Sequence, residues 1–448
     1  MAARGFAYRR IEPYLGVARA NFLALPVALV AVGAAVAVRS GTFDPFRTGV
    51  ALAGLISLHV AVNALNEYSD YLRGIDEETD PTPFSGGSGT LPEGELEPRS
   101  ALYLGILASL VGATVGAYFL VVVGTPMLPL VVAGAVCVVG YTDLLTRIGV
   151  GEVAAGLGLG TLPVVGVAMV QDGTVGTLGY AASVPAFFLT FDLLLLNEFP
   201  DEEPDRRGGR TNLLHLLGRS RAALLYVVAG LAVPAAIVGS VAVGLLPPLA
   251  LVGCLPSIFL ARPVRWAIEH PEGDLPVQAL RDNVIWVLFT NFLLAVGLAT
   301  PTAAFAAYSE MSLNEGTFLV GRALFGLVLF FMAFNNLADL GNVSDRIGEA
   351  GVPYPTVATV AASVPLLFSA AAITLGVYPV VGAAYLVVFM AVTTVTVHNF
   401  LGIDDTEEQE NEIFHFLKNL LILAAALVFL SLALGSEAWP YGLGITLF

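Results

Sequence analysis

The chemistry in this chain is concentrated in two acidic runs, each at the end of a long apolar stretch. The first reads Asn63-Ala-Leu-Asn66-Glu67-Tyr-Ser-Asp70-Tyr-Leu-Arg73-Gly74-Ile-Asp76. The second reads Asn197-Glu198-Phe-Pro200-Asp201-Glu-Glu-Pro204-Asp205-Arg206-Arg207-Gly-Gly-Arg210. Carboxylates at a membrane boundary are costly to desolvate and persist where they bind something. Two facing sets, each followed by arginine, are what two magnesium ions and a diphosphate need. In a helix, Asn66 and Asp70 lie four positions apart and share a face, with Asn63 one turn earlier. Gly74 permits a turn that brings Asp76 back toward Asp70. Asn197, Asp201 and Asp205 are also four apart, although Pro200 and Pro204 speak against one continuous helix. Arg73, Arg147, Arg206 and Arg210 are placed to grip phosphate oxygens. Any one of these charges is read most simply as a solvated loop residue, but two runs of similar form, four spans apart on one side of a membrane, need a common cause.

The elements that must position these residues are membrane helices. The chain has 448 residues, 56% of them hydrophobic and only 12% charged, which is too apolar for a soluble protein of this size. Apolar stretches near 20 residues long recur at 21–39, 49–68, 102–123, 126–142, 151–170, 177–197, 222–244, 245–261, 282–300, 317–338, 355–376, 378–398 and 414–434. Thirteen spans are therefore expected. With the N-terminus inside, inner segments hold seventeen of the 20 basic residues, leaving only Arg39, Arg47 and Arg322 outside. That bias puts both acidic runs on the cytoplasmic face of a multi-pass cell-membrane protein, with the C-terminus outside. No cleaved signal peptide is expected at the N-terminus.

The formal net charge is −16, which argues against nucleic acid as a partner. Excess carboxylate with a single lysine, Lys418, suggests a high-salt cytoplasm or GC-rich coding. Cys137 and Cys254 lie in apolar spans and read as packing residues. His59, His215, His270, His398 and His415 show no metal spacing and read as packing or surface residues. The run Gly156, Gly158 and Gly160 reads as close helix packing, because no strand precedes it.

Two long polar loops follow the acidic runs, at 69–101 and 198–221. A module boundary is expected near residue 300, giving parts 1–300 and 301–448. The second part carries a faint echo of the first acidic run: Asn335, Asp339 and Asp345 repeat the spacing of Asn66, Asp70 and Asp76. Another, His398-Asn399 with Asp404-Asp405, follows two spans later. Helix ends often carry such residues as ordinary termini, so no second active site is assigned.

Asn66-x-x-x-Asp70 running on to Asp76, with Asp201-x-x-x-Asp205 later, resembles the paired motifs of the UbiA superfamily of intramembrane prenyltransferases. Ser85-Gly-Gly-Ser-Gly-Thr-Leu-Pro-Glu-Gly resembles the branch that prenylates 1,4-dihydroxy-2-naphthoate in menaquinone synthesis. Tyr141-Thr142 with Gly149-Val-Gly151-Glu152, Arg19, and Gly209-Arg210-Thr211-Asn212-Leu213 also fit, and the likeness covers roughly residues 10–300. Glu67 stands where that family usually has Asp, and Asp143-Leu-Leu-Thr-Arg147 lacks its common proline pair.

The resemblance implies an all-α fold, a nine-helix bundle around a cavity open to lipid, plus about four extra spans of open role. It implies that Asn66, Asp70 and Asp76 hold one Mg²⁺ and Asp201 with Asp205 a second. Arg73, Arg147 and Arg210 would neutralise the departing diphosphate, and Tyr141 would stabilise the allylic cation through its ring face. Arg19 would contact diphosphate or an acceptor carboxylate, with Asn63 and Asn197 also in the substrate site. The expected reaction joins a polyprenyl group from its diphosphate to a lipophilic or aromatic acceptor, preferably dihydroxynaphthoate. Rivals are a geranylgeranylglyceryl phosphate geranylgeranyltransferase and a carotenoid-elongating enzyme. A secondary transporter is the alternative of another class, disfavoured because the charges crowd one interface and spare the spans, Asp192 and Arg322 excepted.

Overall fold

A computed structural model describes residues 12–78, 82, 84, 86–300, 313–349, 351–396, 406–435 and 439. The described residues form helices and no β-strand, as backbone in hydrocarbon must satisfy its own hydrogen bonds. Among the described residues twelve helices are long and apolar enough to cross a membrane, so this is a multi-pass membrane protein. The chain divides into two compact units, Pro13–Ala299, and Met1–Glu12 with Thr300–Phe448.

The larger unit contains α1 (Ala20–Ser40), α2 (Pro45–Arg73), α3 (Pro98–Val123), α4 (Leu128–Gly140), α5 (Gly151–Asp172), α6 (Thr177–Asn197), α7 (Arg219–Ala242), α8 (Pro248–Glu269) and α9 (Val277–Ala299). All but α4 belong to the twelve. The span expected at 126–142 has only 13 residues of α-helix. That is about 20 Å at ~1.5 Å per residue, short of the ~30 Å hydrocarbon core. A π-helical turn, Tyr141–Leu145, continues it toward the acidic runs.

Each helix packs on the next in sequence and α9 returns to α1, closing the nine into a ring. On one side α9 is buried along its length, with Trp286, Val287, Leu294 and Leu298 fully enclosed. On the other, α1 to α6 surround an apolar chamber of about 780 Å³. The outer surface is apolar too: Leu107, Val121, Val139 and Ile258 are exposed, as side chains facing lipid should be. Within α5 the glycines serve packing, since a Cβ on Gly156 would meet Phe187 Cε2 at 2.8 Å and one on Gly160 would meet the Ala186 carbonyl at 2.5 Å.

The smaller unit contains α10 (Thr317–Leu337), α11 (Leu340–Glu349), α12 (Pro355–Leu375), α13 (Pro379–Thr396) and α14 (Glu412–Gly435). Helix α12 packs on α10 and α13, and α13 packs on α14. Arg322 is buried, its guanidinium 5.7 Å from the Phe318 ring centroid. The echo of the acidic run is unlike its counterpart: Asn335 and Asp345 are exposed, and Asp339 Oδ1 accepts a hydrogen bond from Asn342 Nδ2 at 2.7 Å. The echo from His398 to Asp405 lies outside the described residues.

Candidate active site

The first acidic run is placed by the end of α2. Asp44 caps the start of that helix, accepting from the Arg47 N–H at 3.0 Å, and Pro45 follows at the first helical position. Gly74 closes the other end at φ 73°, its N–H reaching the Asp70 and Tyr71 carbonyls. That left-handed turn suits glycine, and a one-turn helix, Ile75–Glu78, then carries Asp76 back toward Asp70. The second run is placed differently. Helix α6 ends at Asn197, the chain turns, and a short helix, Glu202–Arg207, begins with Asp201 at its N-cap. Asp201 makes no capping bond, which leaves its carboxylate for the site. After Gly209 the chain folds back, the Arg210 N–H donating to the Asp205 carbonyl at 2.9 Å.

These two local structures meet. Arg210 pairs with Asp70, lies 3.3 Å from Asp205 Oδ1, and donates from Nη2 to Asn66 Oδ1 at 2.5 Å. Asn66 Nδ2 donates in turn to Asp70 Oδ2 at 2.8 Å, and Asn212 Nδ2 donates to Asp205 Oδ2 at 3.4 Å. Asp70, Asp76 and Asp205 are all buried. A buried carboxylate without a counter-charge costs several kcal/mol, and Arg210 supplies the charge between the two runs.

Above them lies the Gly/Ser-rich loop. Glu67 is 1% exposed and accepts from the Ser88 N–H at 2.6 Å, from Ser88 Oγ at 2.9 Å and from Arg19 Nε at 3.4 Å. The Gly86 N–H donates to Asp201 Oδ2 at 3.0 Å. The loop is therefore tied to both acidic runs. Gly87 must stay small, because a Cβ there would sit 2.5 Å from Asp76 Oδ1.

A pocket of about 110 Å³ is enclosed by Arg19, Asn66, Asp70, Asp76, Tyr141, Asn197, Asp201, Asp205 and Arg210, with Glu198, Phe84, Gly86, Gly87 and Asn212. Nine of the thirteen residues singled out from the sequence thus converge, whereas Arg206 is exposed and paired with Glu202 and Glu203. Asn63 lines the apolar chamber instead, its Nδ2 donating to the Ala18 carbonyl at 3.3 Å. Arg73 and Arg147 do not line the pocket, and Arg147 is exposed. Glu67, Glu198, Glu152 and Asn212 were not singled out. Glu152 is fully buried and holds the second loop by accepting the Leu213 N–H at 2.6 Å.

Burial, followed by the charges of Asp70 and Glu67, pushes the Asp76 carboxyl up to about 8. Asp201 is pushed up to about 7 by burial and then by Asp205. Burial also raises Asp205, opposed by Arg210, and raises Glu198, which faces Glu152. For Arg210 burial works against the charge, but Asp70 and Asp205 outweigh it and the value rises. This is a site short of positive charge. Asp76 Oδ2, Asp201 Oδ1 and Asn197 Oδ1 are buried without a hydrogen-bond partner. Hard oxygens in that condition fit a divalent cation, although among the described residues no three His, Cys, Asp or Glu side chains converge closely enough to enclose one.

The polar pocket and the apolar chamber share a border: Arg19, Asn66, Tyr141, Leu194 and Asn197 line both. An ionic headgroup and an oily tail in one molecule would find a place on either side of it.

Residues 24–281 match the UbiA prenyltransferase family, and residues 317–399 match the DoxX family. The 1,4-dihydroxy-2-naphthoate octaprenyltransferase of Mycobacterium tuberculosis is 32% identical over 265 residues, covering 55% of this chain and 85% of that protein. The Bacillus subtilis enzyme of the same name is 24% identical over 255 residues, covering 54% and 77%. A solved UbiA homolog from Archaeoglobus fulgidus, bound to GPP and Mg²⁺, aligns at 14% identity and a TM-score of 0.46 over 64% of this chain and 99% of that one. With the family matched over more than half its length, this chain belongs to the UbiA prenyltransferase family and is a membrane prenyltransferase.

Proposed function

We propose that the enzyme transfers a polyprenyl group from an isoprenoid diphosphate to an aromatic acceptor, 1,4-dihydroxy-2-naphthoate or a related quinone precursor, with Mg²⁺ as cofactor. The activity is assigned to residues 1–300, with residues 301–448 as a separate membrane module. The observation that carries the reading is the shared border between the carboxylate-lined pocket and the apolar chamber. The acceptor class follows from the two dihydroxynaphthoate octaprenyltransferases that this chain resembles. The cytoplasmic orientation of the pocket follows from the arginine distribution.

In this reading the diphosphate lies among the carboxylates and the isoprenoid tail enters the chamber, which also admits the acceptor, so the C–O bond to be broken sits beside Tyr141, Asn66 and Asn197. Asn66, Asp70 and Asp76 on one side, and Asp201 with Asp205 on the other, would hold Mg²⁺. Bound there, the metal supplies Lewis-acid neutralisation of diphosphate charge. Arg210 and Arg19 add fixed positive charge, so the electron pair of the broken bond is received by a stabilised diphosphate. The Tyr141 ring at the border faces the allylic cation. The chamber keeps water from that cation until the acceptor's electron-rich ring carbon bonds to it, and the ring regains aromaticity by losing what that carbon carried, a proton or the carboxylate as CO2.

The test is incubation of the purified full chain with labelled geranylgeranyl diphosphate, Mg²⁺ and a panel of acceptors. The expected product is prenylated dihydroxynaphthoate, lost on chelation. Transfer only to a glyceryl phosphate lipid or a carotenoid would overturn the acceptor assignment.

A further inference from the structure

The apolar chamber contains a few polar side chains, and most are already engaged with protein. Ser109 Oγ donates to the Gly105 carbonyl at 2.8 Å. Thr190 Oγ1 reaches the Leu159 carbonyl at 2.9 Å and that of Ala186 at 3.0 Å. Asn63 and Arg19 are bonded to the Ala18 carbonyl and to Glu67. His59 differs from all of these. It lines the chamber, is 5% exposed, and neither ring nitrogen has a hydrogen-bond partner.

A neutral imidazole presents one donor and one acceptor, and leaving both unmet away from water is unfavourable. Among apolar neighbours such as Leu55, Leu58 and Val62, which line the same chamber, an aliphatic side chain would serve packing better. His59 precedes Asn66 by seven positions on α2. It therefore faces the same side two turns away, roughly 10 Å along the axis from the polar pocket. An isoprenoid tail has no atom that satisfies an imidazole. A hydroxylated aromatic ring, entering with its reacting carbon toward the border, carries such an atom beside or across from that carbon on the same ring.

We propose that His59 is a specificity-determining contact for the acceptor, hydrogen-bonded to a hydroxyl of the acceptor ring. This inference rests on the aromatic-acceptor reading above. It assigns His59 to acceptor selection, with no part in diphosphate binding.

The test pairs His59→Leu and His59→Gln with two acceptors, 1,4-dihydroxy-2-naphthoate and 1-hydroxy-2-naphthoate. His59→Leu places an apolar side chain in apolar surroundings, so folding should survive, and binding of labelled geranylgeranyl diphosphate checks that it does. In the wild type, removing the 4-hydroxyl should raise the acceptor KM about tenfold or more, since an unmet buried polar group discriminates strongly. In His59→Leu the KM for the dihydroxy acceptor should rise about tenfold. The KM values of the two acceptors should then agree within about threefold, whatever the difference in kcat that the lost electron-donating hydroxyl causes, with the KM for the diphosphate substrate unchanged. His59→Gln should regain part of the discrimination. If His59→Leu still distinguishes the acceptors as the wild type does, or raises both KM values together, the inference is overturned while the transferase reading stands. If the wild type prenylates no hydroxylated aromatic acceptor at all, both fall.

Discussion

Asn66, Asp70 and Asp76 recur in spacing as Asn335, Asp339 and Asp345, yet the two sets have different surroundings. In the first, Asp70 and Asp76 are buried and Arg210 ties Asp70 to the second acidic run. In the second, Asn335 and Asp345 are exposed and Asp339 is bonded to its neighbour Asn342. Spacing along a helix end is cheap to produce, because the same residues also terminate helices. What separates a site from a terminus is a partner brought from far along the chain, together with removal from water.

The largest effect that would sharpen this contrast is loss of a carboxylate from the buried set. Asp70→Ala or Asp201→Ala should lower kcat/KM by about 10²–10³-fold or more at normal expression, since each removes a carboxylate that would hold the cation neutralising the leaving diphosphate. The assay is transfer from labelled geranylgeranyl diphosphate. A smaller loss, about tenfold, is expected for Glu67→Gln. That change weakens the anchor of the loop at Ser88, removing one charge-assisted hydrogen bond, and a rise in the KM for diphosphate would report it. At the other extreme, Asp339→Ala should leave turnover within about twofold of wild type, since Asp339 is half-buried, its carboxylate bonded to its neighbour Asn342, and no part of the acidic site is assigned to it. A comparable loss there would make the second set a working site and break the comparison.

The acidity of the buried set gives an independent check. Asp76 and Asp201 are raised to about 8 and about 7, so near neutral pH they retain protons that a cation must displace. The Mg²⁺ concentration for half-maximal activity should therefore fall as pH rises from about 6 to about 8.5. The sign is fixed by competition: more ionised carboxylate at higher pH means tighter cation binding. A requirement independent of pH would mean that these carboxyls are not the ligands.

Much of this was legible in the sequence for local reasons. The face shared by Asn66 and Asp70, the turn at Gly74 and the break around Pro200 depend on residues within a few positions of one another, and the structure has each. The spans follow from apolar length alone, and among the described residues only α4, of those expected, is too short a helix to cross. Arg73 and Arg147 failed to reach the pocket because nearness in sequence to an acidic run does not fix the direction of a long side chain. The roles of Glu67, Glu152 and Glu198 are not legible in the sequence because they depend on Ser88, Leu213 and each other, contacts that no short-range pattern encodes. His59 looked like packing because its isolation from other polar groups, which hides it in the sequence, is the very feature that matters in the chamber.

The central claim is that two distant acidic runs act as a single site on one diphosphate, and a double-mutant cycle tests it most directly. Asp70→Asn, Asp201→Asn and the double variant are compared in kcat/KM for labelled geranylgeranyl diphosphate at saturating Mg²⁺ and acceptor. Groups acting as a unit do not lose activity independently, so the double variant should be little worse than the poorer single variant. Two losses that multiply, or single variants that turn over like wild type, would contradict the claim.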